Sequence, residues 1–540
     1  MLFNSPEFLL GFLPVVLVGF FLIGALGRPS LAAGWLILAS LFFYGWWRID
    51  FMPLLLASIL FNFSVGRTLA RWPTHWLLAF GIAGNLAALG WFKYAGFLAQ
   101  AVNDLAGAGL PVPQVVLPLA ISFYTFQQIA YLVDAQAGET RETSLARYAL
   151  FVVFFPQLIA GPIVHHKEML SQFEKPETYR PRLDNLVLGL TAFSIGLFKK
   201  VFIADPLGSQ TPLAFGPALD GVAPGFADAW FGSIAFALQL YFDFSGYSDM
   251  AIGLGLMFGI RLPVNFASPY KSASIIEFWT RWHMTLTRFL TAYLYTPLVM
   301  AAMRRRQRLG LPMLKRSMPA VAPFFWLLAV PTLITMGLAG IWHGAGWQFL
   351  VFGLLHGVLL VANHAWRYAG RRIGLDWDLG WAGHAAGVVV TFLAVTVTFV
   401  FFKAVSLEQA MSVVQGMVGL GEAGPATPRL GGVDPATLGP IEQLLSRLAS
   451  LPGVLVLTGL AIVWLLPNTP YYISTLAEPV QSRIETTATG IRGWVTALRR
   501  SSLLRAQPSV LQGAAVGILL SLALLRALSV APSEFLYFTF

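Results

Sequence analysis

Apolar stretches of about twenty residues recur along nearly the whole chain, separated by short polar or Gly/Pro-rich turns. They fall near residues 8–26, 31–47, 51–66, 75–99, 114–133, 148–163, 184–204, 226–243, 247–260, 275–300, 321–341, 346–365, 385–403, 452–466 and 510–530. A helix of that length spans the hydrocarbon core of a bilayer, about 30 Å thick. The period-two alternation of a membrane barrel is missing. The pattern predicts an all-α polytopic membrane protein. Two segments depart from a simple span. Residues 148–163 hold Pro156, Gly161 and Pro162. Broken backbone at membrane depth survives only where protein or a cavity satisfies it, so this segment is expected to be re-entrant or buried. Residues 247–260 are too short to cross comfortably. With no internal repeat, low-complexity tract or soluble domain, the chain reads as one membrane domain over 1–540. It comprises a core of about 1–470, an amphipathic basic stretch at 471–509 and a final helix at 510–530.

Composition agrees with this reading. The 540 residues are 57% hydrophobic and only 11% charged, with a mean hydropathy of +0.69; soluble domains carry about a quarter charged residues. The net charge of +10 is assigned to basic cytoplasmic loops rather than to nucleic-acid binding. Residues 303–316, with six Lys/Arg and no acid, mark the inside most strongly, joined by Arg67 and Arg71 and by the 483–505 region. Residues 205–227 have no Lys or Arg and are expected outside, as are 100–113 and the Gly/Pro-rich 420–440 stretch. The N-terminal run lacks a basic n-region and is too long for a cleaved signal, so it is read as a first span with its N-terminus outside. The chain contains no cysteine. This excludes disulfides, thiolate metal sites and an acyl-cysteine intermediate.

Eight histidines are present. His75, His165 and His166 adjoin charged loops and are expected to be solvated, and His384 to be structural. His343 lies in "GLAGIWHGAGW" (337–347), between two apolar runs. Gly344 and Gly346 favour a helix break there. Trp342 and Trp347 suit an interface belt or the walls of a pocket. A neutral imidazole so placed suits proton abstraction from a hydroxyl, while the bland alternative is a histidine capping a turn. His283 lies in "EFWTRWHMTLTRF" (277–289). Read as a helix, this puts Trp279 and His283 on one face and pairs Glu277 with Arg281. The competing reading is a packed interhelical hydrogen-bond site. His356 and His364 share only roughly a side of the next helix, and no HExxH-type pair suggests a metal. In "YFDFSGYSDM" (241–250), Asp243, Tyr247 and Asp249 either contact substrate or form a polar network at a helix break around Gly246. Lys199 and Lys200 either snorkel or help hold an anionic donor.

Taken in order, these motifs resemble the bacterial alginate O-acetyltransferase branch of the membrane-bound O-acyltransferase (MBOAT) family. The resemblance includes "LFFYGWW", "PLAISFYTFQQIAYLVD", "FFPQLIAGPIV", "YFDFSGYSDMAIGLGLMFGIRLPVNFASPY", "EFWTRWHMTLTRFL", "GLAGIWHGAGWQFLVFGLLHG", "LPNTP" and the terminal "SEFLYF". It implies a helical MBOAT fold with re-entrant segments and a central tunnel. It also implies acyl transfer, usually acetyl, onto a hydroxyl, with His343 as the deep catalytic histidine and His283 as the second. Trp342, Trp347, Trp279, Asp243, Tyr247 and Asp249 are the expected substrate contacts. No permanently bound cofactor or metal is expected; the donor would be a cytoplasmic acyl thioester such as acetyl-CoA. A periplasmic partner acyltransferase would receive the acyl group and modify an exopolysaccharide, from a multi-pass protein of the bacterial inner membrane. The rival classes are a polytopic transporter, which should show inverted-repeat hydropathy, and a structural subunit of a polysaccharide export complex.

Overall fold

A computed structural model describes residues 1–140, 142–314, 321–372, 380–421, 439–476 and 510–536. Among these residues every regular element is helical. Eight of the helices are long and apolar enough to cross a membrane: Glu7–Ala25, Ile49–Arg71, His75–Ala106, Leu183–Gly208, Val321–His343, Trp347–Gly370, Gly380–Lys403 and Gln512–Ser529. Most of the basic 471–509 stretch and of the 420–440 segment lies outside the described residues. Two compact units emerge, Met1–Val201 with Phe244–Val264 and Ser509–Phe540, and Phe202–Asp243 with Asn265–Pro508.

In the first unit, helix Met52–Arg71 packs on His75–Leu89 and on Ile121–Gln136. Buried amides join the first two: Asn62 Nδ2 donates to Asn85 Oδ1 at 3.1 Å and Asn85 Nδ2 to Asn62 Oδ1 at 2.6 Å. Side-chain hydrogen bonds of this kind hold helices together where lipid offers no hydrophobic drive. The expected apolar helix at 114–133 starts only at Ile121. Pro113 and Pro118 lack the N–H a helix needs, and residues 107–120 are irregular. The 148–163 segment is buried, as the sequence suggests. Short helices Leu145–Val153 and Phe155–Leu158 give way to irregular backbone. Its polar groups find protein partners: the Phe155 N–H donates to Ser40 Oγ at 3.2 Å and the Gln157 amide to the Phe151 carbonyl at 2.7 Å.

Two expectations for this unit are corrected. No break occurs at Gly246, because Phe226–Met257 is one continuous helix. Its glycine serves close packing instead. A Cβ on Gly246 would stand 2.8 Å from the Gly196 carbonyl oxygen, and one on Gly196 would stand 2.5 Å from that of Gly246. The two helices meet backbone to backbone, as small-residue interfaces in membranes do. Nor do Lys199 and Lys200 snorkel. Lys199 Nζ binds Asp249 Oδ2 at 2.6 Å with both side chains largely buried. Lys200 is 2% exposed; it donates to the Glu534 carbonyl at 2.9 Å and stands 4.8 Å over the Phe535 ring.

In the second unit, helices Val330–His343 and Trp347–Arg372 form an antiparallel hairpin. Glycines again allow the contact: a Cβ on Gly353 would lie 2.2 Å from the Met336 carbonyl, and one on Gly340 would lie 2.3 Å from that of Phe349. Gly353→Val therefore forces the hairpin apart. It is expected to destabilise the protein by about 1–3 kcal/mol, read as a lower midpoint of thermal aggregation in detergent. The expected span at 452–466 is one arm of a bent pair, Ile441–Ala449 and Leu451–Leu465, meeting at 88°. Arg447 pins this bend to Asp228, at 2.7 Å through Nε and 2.6 Å through Nη2.

Candidate active site

The sequence "TRWH" does not continue the helix in which it was read. The helix Ile275–Trp279 ends, and His283 adopts a left-handed backbone (φ 42°, ψ 53°) ahead of a second helix, Met284–Leu290. The expected helical face shared by Trp279 and His283 is therefore corrected. The Glu277–Arg281 pair survives, at 2.6 Å, because the first turn remains helical. A non-glycine residue with positive φ costs about 1–3 kcal/mol and persists only when its surroundings over-determine it. Here they do. The run 265–267 pairs with the turn, the Ala267 N–H donating to the Arg281 carbonyl and the Met284 N–H to the Asn265 carbonyl, both at 2.9 Å.

The Asn265 side chain completes the lock. Its Oδ1 accepts from the Thr285 N–H at 3.3 Å and from Thr285 Oγ1 at 2.8 Å, and lies 3.1 Å from His283 Nδ1. A backbone N–H can only donate, which fixes Oδ1 as an acceptor. His283 Nδ1 must then carry the proton, leaving Nε2 as the basic nitrogen. Asn265, which orients His283, was not marked by the sequence. The only signal was an amide in a proline-bounded irregular run just before the histidine segment.

His343 is the last residue of its helix. Gly344 follows in an extended conformation (φ −167°) that ends the helix at the expected break. The imidazole is 5% exposed and is enclosed edge-to-face by aromatic rings. Their centroids lie at 4.9 Å for Trp342, 5.2 Å for Phe402 and 5.7 Å for Phe352. The far neighbour of Trp342 is His283, with ring centroids 6.4 Å apart. The structure thus brings the two predicted histidines to the same indole. Phe352 and Phe402 come from helices whose periodicity gave them no functional mark.

Trp347 is half exposed at the start of its helix, whereas Trp279 is buried beside His356. The Trp279 Nε1–H donates to His356 Nδ1 at 3.3 Å, and Thr398 Oγ1 lies 2.9 Å from Nε2. Because Thr398 gives its own proton to the Val395 carbonyl at 2.7 Å, His356 Nε2 donates to it. Both His356 nitrogens are engaged, so its geometry is that of a strut between helices. Asp243 is buried in the second unit; Tyr247 and Asp249, on the same helix, belong to the first. There Tyr247 stacks on Phe3 at 4.8 Å, and the Asp249 carboxylate holds Lys199.

Asn265→Ala removes the one acceptor shared by His283 and Thr285. Leaving a buried N–H unsatisfied costs about 1–3 kcal/mol. The variant is expected to lose about tenfold or more in turnover, with the loss in kcat rather than KM, measured on purified protein.

Two histidines set about a buried indole, among apolar helices, suit a membrane enzyme that uses acid–base chemistry. Comparison with known proteins supports the class: the chain belongs to the membrane-bound O-acyltransferase family, whose profile matches residues 136–310, and it is an O-acyltransferase. It is 41% identical to a peptidoglycan O-acetyltransferase of Helicobacter pylori, over 78% of this chain and 80% of that protein. It is 38% identical to a probable alginate O-acetylase of Pseudomonas aeruginosa, over 78% of this chain and 75% of the relative. A teichoic acid D-alanyltransferase of Bacillus subtilis is more distant, 26% identical over 54% of this chain.

Proposed function

We propose that this chain is an inner-membrane O-acetyltransferase that passes an acetyl group from a cytoplasmic thioester to a hydroxyl outside, for O-acetylation of an extracytoplasmic polysaccharide. The observation that carries this reading is the pairing of His343 and His283 about Trp342. His343 takes the proton of the acceptor hydroxyl as its oxygen attacks the thioester carbonyl. The tetrahedral intermediate collapses to the new ester and expels a thiolate, which recovers the proton from the His343 imidazolium. His283, its Nδ1–H held by Asn265, positions His343; its remaining nitrogen is an acceptor and so does not polarise the carbonyl. With no cysteine in the chain, no thioester forms on the enzyme; direct transfer in a ternary complex is favoured over an acyl-serine or acyl-histidine intermediate. Holding both reactants in line supplies much of the remaining acceleration.

The names of the relatives favour a cell-envelope polymer as the final acceptor. A periplasmic partner acyltransferase would receive the group first. The Lys/Arg-free 205–227 segment is the surface proposed for it, and its exposed Leu219 and Val222 offer apolar contacts. Reconstituted vesicles supplied with labelled acetyl-CoA and a hydroxyl acceptor test the reading: donor is consumed as acetyl ester appears. A transporter would move a solute and leave the thioester intact.

A further inference from the structure

Away from the two catalytic candidates, a second cluster stands in the first unit. His165 and His166 follow the buried "IAGPIV" segment, His166 opening the helix His166–Phe173. Asp134 reaches them from the last turn of Ile121–Gln136. His165 Nε2 lies 2.7 Å and His166 Nδ1 3.4 Å from the same oxygen, Asp134 Oδ2. The three donor atoms fall within 4.8 Å of one another. His166, expected from the sequence to be solvated, is in fact 2% exposed.

That burial creates a problem that neither tautomer of His166 solves. Burial disfavours the charged form of this ring, and each neutral tautomer leaves one nitrogen poorly placed. With the proton on Nδ1, the Nε2 lone pair is buried without a hydrogen-bond partner. With the proton on Nε2, that N–H is buried on a ring whose edge-to-face neighbours are Tyr131 and Phe151, centroids 5.9 and 6.4 Å away. The Nδ1 lone pair then points at a carboxylate oxygen, two acceptors confronting each other. A cation between them turns this repulsion into shared coordination. The proton then stays on Nε2, among aromatic neighbours.

We propose that Asp134, His165 and His166 form a divalent transition-metal site, occupied by Zn²⁺ or a close analogue. Two imidazole nitrogens and one carboxylate are a donor set such ions accept, with a solvent molecule completing a tetrahedron. The spacing fits. Ligands about 2.0–2.1 Å from a tetrahedral ion lie about 3.3 Å apart, against 3.4 Å for the His166–Asp134 pair. The His165–Asp134 contact needs to open by about half an ångström. The ion would fasten the end of the irregular buried segment to the helix Ile121–Gln136, whose Gln136 side chain also lies 2.8 Å from His75 Nδ1. Loss of metal affinity on removing a ligand is expected to be at least about tenfold.

The test uses the full-length chain purified in detergent with a tag that contains no histidine, stripped with a chelator and titrated with Co²⁺ and then Zn²⁺. One equivalent of Co²⁺ should bind and give intensified visible ligand-field bands, which Zn²⁺ abolishes, while the melting midpoint rises by several degrees. Asp134→Asn and His166→Gln should lose the bands, and His75→Gln should keep them. If the wild-type chain leaves Co²⁺ with only its faint aqueous spectrum, or if the bands survive both ligand substitutions, the site does not exist. The wild-type titration decides the matter even if a variant fails to fold.

Discussion

His343→Ala lowers acetyl transfer by about 10²–10⁴-fold, the usual contribution of a general base, while the protein still inserts and melts near the wild-type temperature. The stability half of this expectation follows from the ring's setting. His343 ends its helix and makes edge contacts with Trp342, Phe352 and Phe402. Truncating it leaves a void among aromatic side chains that already pack on one another, as Phe352 and Phe402 do at 5.2 Å. Turnover by purified variant and wild-type protein, beside their thermal aggregation curves, gives both numbers. A variant that unfolds would point to a structural role; a folded variant with full turnover would remove His343 from the chemistry.

The second large effect concerns stability. Asp249→Ala leaves Lys199 as a charge in a largely buried setting, since the pair meets at 2.6 Å. Breaking a buried ion pair from one side costs about 3–5 kcal/mol, whereas replacing both partners with apolar residues of similar volume is often neutral. The single variant should melt well below wild type, and Lys199→Met with Asp249→Leu should recover most of the loss. The double variant also separates two roles for Asp249. If the pair serves only to join helices, the repaired protein retains transfer activity; if Asp249 touches substrate, the protein folds and stays inactive.

The features legible in the sequence were those written in local pattern. Helix content and the membrane class follow from apolar runs, and the break after His343 from its glycines. The burial of 148–163 follows from prolines and glycine inside an apolar stretch. The readings that failed depended on partners distant in the chain. Gly246 resembles a helix breaker until Gly196 is seen pressed against it. "TRWH" has helical spacing, yet the backbone bonds from Ala267 and Asn265 bend it into a turn. His166 sits among charges in sequence but under Tyr131 and Phe151 in space. The same reasoning explains Asn265, whose hold on His283 spans 18 residues and leaves no periodic trace.

The O-acetyl content of the cell envelope reports most directly on the central claim. A host strain lacking this gene would be complemented with the wild-type chain or with His343→Ala at equal membrane levels, and ester-linked acetate measured on its extracellular polysaccharide and peptidoglycan. The account predicts that wild type restores O-acetylation of one polymer and that His343→Ala leaves it at the level of the deletion strain. Equal restoration by both chains would contradict it.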